Sequence, residues 1–374
     1  MEMPPPWVLA VALGFLLFAF ATWLYIALNL VAPVPRKPTA SEKTFQTILP
    51  TGKRSEAKQL PCWADQWRAE KEYGKKKGVT PPSIIEDAEV FMSVVVPAFN
   101  EEERLGGMLE EAVSFLQETY GGAHEGEKGS GAEKGWEILV VSDGSTDDTV
   151  EKALDFAKEH QLKQYPKPIP GPRTPKPTHS THIPHGSIRV ITLEKNRGKG
   201  GAVTHGMRHA RGQYVVFADA DGASRFEDLQ KLVEACKSIE DKKGRAVAIG
   251  SRAHLVGSEA VVKRSKLRNF LMHSFHILLR IMTPPATAAI KDTQCGFKLF
   301  SRTSLPDIIP YMHSEGWIFD VEMLMLAEMA KVPMCEVAIG WKEVLGSKLN
   351  VIWDSIGMAW GLAILRLAWG LKVY

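Results

Sequence analysis

The stretch Val215–Leu229, VVFADADGASRFEDL, decides how the chain folds. Val215, Val216 and Phe217 form an apolar run that reads as a buried strand. Burying an ionised carboxylate is costly, so Asp219 and Asp221 belong at the carboxyl edge, where the strand emerges. Acids two residues apart on an extended chain point the same way. Such a pair suits a hard divalent cation, free or bound to a polyphosphate. A solvated turn ending in Asp-Gly would carry the same letters, and the stretch alone leaves both readings open.

Outward from it, strand-like and helix-like segments alternate. MSVVVPAFN (92–100) is an apolar run stopped by Pro-Ala-Phe-Asn, and EEERLGGMLEEAVSFLQETY places Leu105, Leu109, Ala112, Val113 and Leu116 at helical spacing. WEILVVSDGSTDDT (136–149) is a second strand running into an acidic helix start, with Ser145 as N-cap. SIRVITLEKN, GKGGAVTHGMRHAR and GQYVVFADADG then read strand, helix, strand. This alternation predicts an α/β protein, a mostly parallel sheet flanked by helices. Ligands of such sheets sit beyond the strands' carboxyl ends, where Pro97 to Asn100, Asp143, Asp219 and Asp221 all fall.

The chain of 374 residues has a formal net charge of +3, which gives no reason to expect nucleic acid. Cys62, Cys236, Cys295 and Cys335 are scattered, without a C-x-x-C, as suits a reducing compartment. Trp7 to Ala32 contains no charged residue and is long enough to span a bilayer. Arg36, Lys37, Lys43, Lys53 and Arg54 follow it, so the positive-inside rule puts the remainder in the cytosol. The expected organisation is a signal anchor over 7–32, a juxtamembrane linker over 33–90, a globular domain over 91–345 and a C-terminal amphipathic helix over 346–374. That last helix is read as interfacial, with Trp353, Trp360 and Trp369 at headgroups; packing on the body is the rival reading. The Gly-rich 121–135 and Pro-rich 163–185 insertions read as surface loops, with His179, His182 and His185 in the second. His273 and His276 lie on an apolar helix, where packing is the simpler role.

NRGKGGAV (196–203) matches neither a dinucleotide fingerprint nor a P-loop. Its glycines still bring backbone N–H groups to a helix start, a place for phosphate, with Lys199 adding charge. VVVPAFNEEERL, VVSDGSTDDT, NRGKGGAV, FADADG and TQCGFKLF, in this order, resemble the inverting glycosyltransferases of family 2, which have the Rossmann-like GT-A fold. DADGASRFEDL, EGWIFDVEML and the N-terminal anchor narrow the resemblance to the branch that glucosylates dolichyl phosphate at the endoplasmic reticulum. It covers about residues 92 to 345.

The resemblance implies UDP-glucose as donor, dolichyl phosphate as acceptor, and a single-pass protein of the endoplasmic reticulum membrane whose catalytic domain faces the cytosol among membrane lipid. Pro97, Phe99, Asn100 and Glu101 would line the nucleotide pocket. Asp143 would accept from the uracil edge, and Lys199 would sit near the pyrophosphate. Asp219 and Asp221 would hold Mg²⁺ or Mn²⁺ against the diphosphate. Ala223 stands where mannosyl-transferring relatives carry a polar residue, so water or Ser224 would complete the metal shell. Arg252, Arg264 and Lys298 would meet the acceptor phosphate, arginine's fork suiting it bidentately. Asp320 matches the base of alcohol-using relatives and here would orient glucose hydroxyls or an arginine, or simply cap its helix, with Glu322 beside it. A GDP-mannose enzyme and a catalytically silent scaffold of the same fold are the competing expectations.

Overall fold

The computed structural model describes residues 5–77, 85–121, 134–161, 183–255, 274, 277–344 and 351–374. Its elements are α1 (Pro6–Val31), β1 (Thr44–Phe45), β2 (Lys58–Gln59), α2 (Trp63–Lys77), β3 (Val90–Ala98), α3 (Leu105–Tyr120), β4 (Trp136–Asp143), α4 (Thr149–His160), β5 (Ile188–Leu193), α5 (Lys199–Met207), β6 (Gly212–Ala218) and α6 (Leu229–Ile239). They continue with β7 (Val247–Ser251), α7 (Pro285–Ala289), β8 (Phe297–Ser301), α8 (Leu305–Ile308), α9 (Phe319–Met329), β9 (Met334–Ala338) and α10 (Val351–Gly370). Every strand expected from the apolar runs forms.

The main sheet has seven strands in the order β5-β4-β3-β6-β8-β7-β9. All neighbours pair in parallel except β8, which runs against both β6 and β7. The valine-rich runs follow from burial on both faces. Val94 and Val96 pack with Leu109, Leu116, Leu154 and Leu232 of α3, α4 and α6. Val95, Val215 and Phe217 point oppositely, toward Val203 of α5, Phe319 and Met323 of α9, and Trp63 of α2. From β3 the chain builds outward through β4 and β5, then returns to place β6 on the other side of β3. The order therefore reverses between β3 and β6, opening a crevice at their carboxyl ends. Because β8 is antiparallel, its amino end arrives at that same edge.

Much of the stretch expected as a linker is part of the body. The backbone of Gln46 exchanges two hydrogen bonds with Val190 (2.9 and 2.8 Å) and covers the outer edge of β5. Glu42 is fully buried, paired with Arg36 at 2.5 Å and accepting the N–H of Glu194 at 3.0 Å. The Trp63 indole N–H donates to the Met207 carbonyl at 2.8 Å. Apart from the Arg36–Glu42 pair, these contacts join residues about 150 positions apart in sequence, which local composition does not reveal.

At 26 residues, with an 18-residue stretch of mean hydropathy 2.2, α1 is long and apolar enough to cross a membrane. The buried face of α10 packs Leu362 and Leu365 against Leu279, Ile318 and Val321, while Ile364 and Ala368 meet Ala32 at the end of α1. Its other face exposes Trp353 (70%) and Trp360 (63%). The helix thus packs on the body and presents an apolar face. Trp369 corrects the headgroup expectation, because it turns inward onto His313 and Tyr374. Of the amphipathic segment before α7, residues 277–282 are helical, whereas His273 and His276, like His179 and His182, lie outside the described residues.

Trp63→Ala is expected to destabilise the folded body by about 3–5 kcal/mol, as for truncation of a buried aromatic. Thermal or denaturant unfolding in detergent measures it; a change near zero would mean that α2 is a mere tether.

Candidate nucleotide and cation site

The site gathers at the carboxyl edge from the ends of β3, β4, β6, β7 and β8. Chain emerging from β3 places Asn100 at φ 54°, a left-handed conformation that asparagine tolerates better than most residues. Its N–H donates to Ser145 Oγ at 3.1 Å and its Oδ1 accepts the Thr146 N–H at 2.7 Å. The Glu101 N–H donates to Thr149 Oγ1 at 2.7 Å. The loops after β3 and β4 are thereby knitted into one rim. Glu101 takes Arg104 in two bonds of 2.8 and 2.7 Å, and Arg104 Nη1 reaches to 3.9 Å from Asp221 Oδ2. Phe99 is partly exposed beside this rim, and Pro97 lies within β3.

Asp143 ends β4 and fastens the glycine loop. Its Oδ1 accepts the Arg197 N–H at 2.7 Å and its Oδ2 the Gly198 N–H at 2.9 Å. Burial nevertheless pushes its pKa up to about 6. Gly198, at φ +85°, has no room for a side chain, since a Cβ would lie 2.6 Å from the Glu315 carbonyl oxygen. From this turn Lys199 opens α5 and sets its ammonium 2.6 Å from Asp219 Oδ1. Burial alone would lower that ammonium, but the charges of Asp219 and Asp320 outweigh it and its pKa is raised.

Asp219 and Asp221 leave β6 as expected. Burial, and then the like charge of Asp219, hold the Asp221 carboxyl above its usual range despite its bond from the Ala223 N–H at 3.0 Å. Gly296, just before β8, completes the cradle. Its carbonyl accepts the Asp219 N–H at 3.1 Å, and a Cβ there would lie 2.0 Å from Asp219 Oδ2. Two converging carboxylates, one destabilised by the other, fit a hard divalent cation. Ser224 and Asp219 line one small cleft. Among the described residues no group of three or more His, Cys, Asp or Glu could hold a metal, so water or ligand oxygens would complete the shell.

Beyond β7, Arg252 is clasped by Asp292, which accepts its backbone N–H (2.9 Å), Nε (2.7 Å) and Nη2 (2.8 Å). Its guanidinium lies 5.7 Å from the Trp341 ring centroid. Burial opposes the charge, yet Asp292, and at longer range Asp219, raise its pKa. Arg252 therefore feels the charge of Asp219. Arg264 lies outside the described residues. Lys298 corrects the expectation of an acceptor contact: it is 0% exposed, with its ammonium 2.5 Å from both Asp320 Oδ1 and the Cys295 carbonyl. A cation shut between strand and helix with two partners serves the protein interior. Asp320, in the first turn of α9, is raised by its burial, with Lys298 and Lys199 opposing. Glu322 accepts the N–H groups of His313 and Ser314.

Arg104, Asp292 and Gly296 belong to this site and were not singled out from the sequence. Arg104 stands three residues after Glu101 in EEER, a spacing that permits the pair. Gly296 lies inside TQCGFKLF. Asp292 has no local signal, because only the fold brings it to Arg252.

The family model for glycosyl transferase family 2 matches residues 93–170 and 171–308. The dolichyl-phosphate beta-glucosyltransferase of Saccharomyces cerevisiae is 41% identical over 368 residues, covering 96% of this chain and 93% of that protein. That of Homo sapiens is 37% identical over 299 residues, 78% and 82% of the two chains. A solved glucosyl-3-phosphoglycerate synthase from Mycobacterium tuberculosis, in complex with Mn²⁺, UDP-glucose and phosphoglyceric acid, aligns at a TM-score of 0.46 and 18% identity, over 74% of this chain and 80% of that one.

Gly296→Ala is expected to drive Asp219 from its place and reduce turnover by about 100-fold, the scale of an ångström misplacement at a reacting centre. Circular dichroism should stay native while Mn²⁺ binding, followed by electron paramagnetic resonance, weakens. Normal turnover in a folded variant would separate Asp219 from the chemistry.

Proposed function

The chain belongs to glycosyl transferase family 2, and on that premise we propose that it transfers glucose from UDP-glucose to dolichyl phosphate with inversion, forming dolichyl β-D-glucosyl phosphate. The observation that carries this reading is the Asp219–Asp221 pair at the sheet's carboxyl edge, with Lys199 on Asp219 and the clasped Arg252 feeling its charge, in a body joined to a helix able to cross a membrane. It is supported by relatives that carry this activity in their names and match most of the chain.

Asp219 and Asp221 would hold Mg²⁺ or Mn²⁺, which stabilises the negative charge of the departing diphosphate. Lys199 lies beside that position. The rim of Pro97, Phe99, Asn100 and Glu101 would enclose the nucleoside, with Asp143 facing the uracil edge. The acceptor needs little proton abstraction, because a phosphomonoester has a second pKa of about 6 and is largely ionised at neutral pH. What it needs is placement behind the anomeric carbon. Arg252, held by Asp292, offers the cation for this, and Arg264 is assigned the same role from the family resemblance. Asp320, paired with Lys298, acts as a positioning residue under the site. We place the protein in the endoplasmic reticulum membrane as a single-pass chain, with the catalytic body toward the cytosol and the exposed face of α10 against lipid.

The assignment is tested by product analysis with a panel of nucleotide sugars and a short polyprenyl phosphate. UDP-glucose should give the β-linked glucosyl phosphate, and a preference for GDP-mannose would overturn the donor. Asp221→Asn should abolish transfer in a folded chain, and its normal turnover would remove the cation clamp.

The pKa of Asp143 gives a pH dependence. Its carboxylate form is the stronger acceptor for a uracil N–H, so UDP-glucose affinity should rise as pH climbs through about 6. Stability runs the other way. A raised folded pKa means the native state holds the proton more tightly, so this contribution is full below the ordinary 3.8 and is lost as pH rises through about 6. Asp143→Asn should flatten both profiles between pH 5 and 7; an unchanged slope would assign the titration elsewhere.

A further inference from the structure

Tyr374 lies far from the acid pair in sequence, yet a continuous set of contacts joins it to the donor loop. Its ring stacks on His313 with centroids 3.6 Å apart and planes at 11°. Trp369 meets both rings edge-on, at 5.7 Å from His313 and 5.6 Å from Tyr374. The Tyr374 hydroxyl donates to the Pro33 carbonyl at 3.2 Å, just beyond the end of α1. His313 in turn begins the segment that backs the glycine loop. Glu322 fixes the N–H groups of His313 and Ser314 at 3.0 and 2.7 Å. The next residue, Glu315, accepts the Gly201 N–H through its carbonyl at 3.1 Å and Arg197 Nε through its carboxylate at 2.8 Å. Arg197 Nη2 also donates to the Arg36 carbonyl at 2.5 Å.

Thus the segment leaving the membrane helix touches the donor loop by two routes, Pro33 through Tyr374 and His313, and Arg36 through Arg197. Lys199, which contacts Asp219, begins its helix from that loop. We infer that Tyr374 is a positioning residue for donor binding: its stack on His313 holds the 313–316 segment, and hence the 197–201 glycine loop, in the conformation that receives the nucleotide diphosphate. The inference rests on the donor assignment above and adds a residue that touches neither donor nor acceptor. The physical basis is that a loop ordered beforehand binds without the cost of ordering it on contact.

Tyr374→Leu keeps apolar volume and removes the stack. In the full chain reconstituted in lipid, with a short polyprenyl phosphate as acceptor, it should raise the KM for UDP-glucose about 2- to 12-fold, the range for losing one aromatic pair. The kcat and the acceptor KM should stay within about twofold, since the acids and Arg252 are untouched. Tyr374→Phe keeps the ring and should restore the wild-type KM. His313→Asn should reproduce the Tyr374→Leu effect and supplies the same readout if that variant fails to fold. The two combined should add little, because each removes the same contact. A donor KM unchanged in either folded variant, or effects that simply add, would overturn the inference. Failure of the wild-type chain to use UDP-glucose would instead refute the donor assignment, an outcome visible before any variant is made.

Discussion

Holding Asp219 and Asp221 together at the rim of a sheet with a buried centre is the constraint on which the site depends. Like charges in a partly buried place repel, and burial together with the charge of Asp219 raises the pKa of Asp221. The protein answers with cations on several sides. Lys199 contacts Asp219, Arg104 approaches Asp221, and Arg252 acts at longer range. Each of these cations is itself restrained: Lys199 by its place at a helix start, Arg104 by Glu101 and Arg252 by Asp292. A divalent ion and its diphosphate would enter a field already arranged to accept them, which lowers the reorganisation needed at the moment of reaction.

The antiparallel β8 does much of the spatial work. Running against β6, it delivers Gly296 to the edge where Asp219 emerges and carries Lys298 inward beneath it. Lys298 and Asp320 then form a buried pair, and removing either partner alone would leave the other charge stranded, a large penalty in such surroundings. This explains how a lysine in a motif close to the site can be unavailable to an incoming phosphate.

The sheet was largely legible in the sequence because its central strands are buried on both faces and so read as mostly apolar runs. MSVVVPAFN, WEILVVSD and GQYVVFADADG each mark both a strand and the edge where it stops. The acid pair was legible for the related reason that an unpaired charge is costly inside a buried strand. Less legible was anything set by tertiary pairing. Asp292 and Arg252 are forty residues apart and no local pattern joins them. The packing of residues 36 to 67 was hidden by polar composition, since Glu42 is buried only because Arg36 and backbone N–H groups satisfy it. Lys298 misled for the converse reason: a basic residue in a functional motif suggests a ligand, while its partner Asp320 is 22 positions away.

The pairing of Gln46 with Val190 reaches beyond packing. An uncovered outer strand displays unsatisfied N–H and C=O groups that recruit strands from other molecules. By laying its own pre-catalytic segment along β5, the chain closes that side of the sheet against self-association. Trimming the protein back to its family-matching core would strip this guard away, trading a smaller enzyme for one with an adhesive flank.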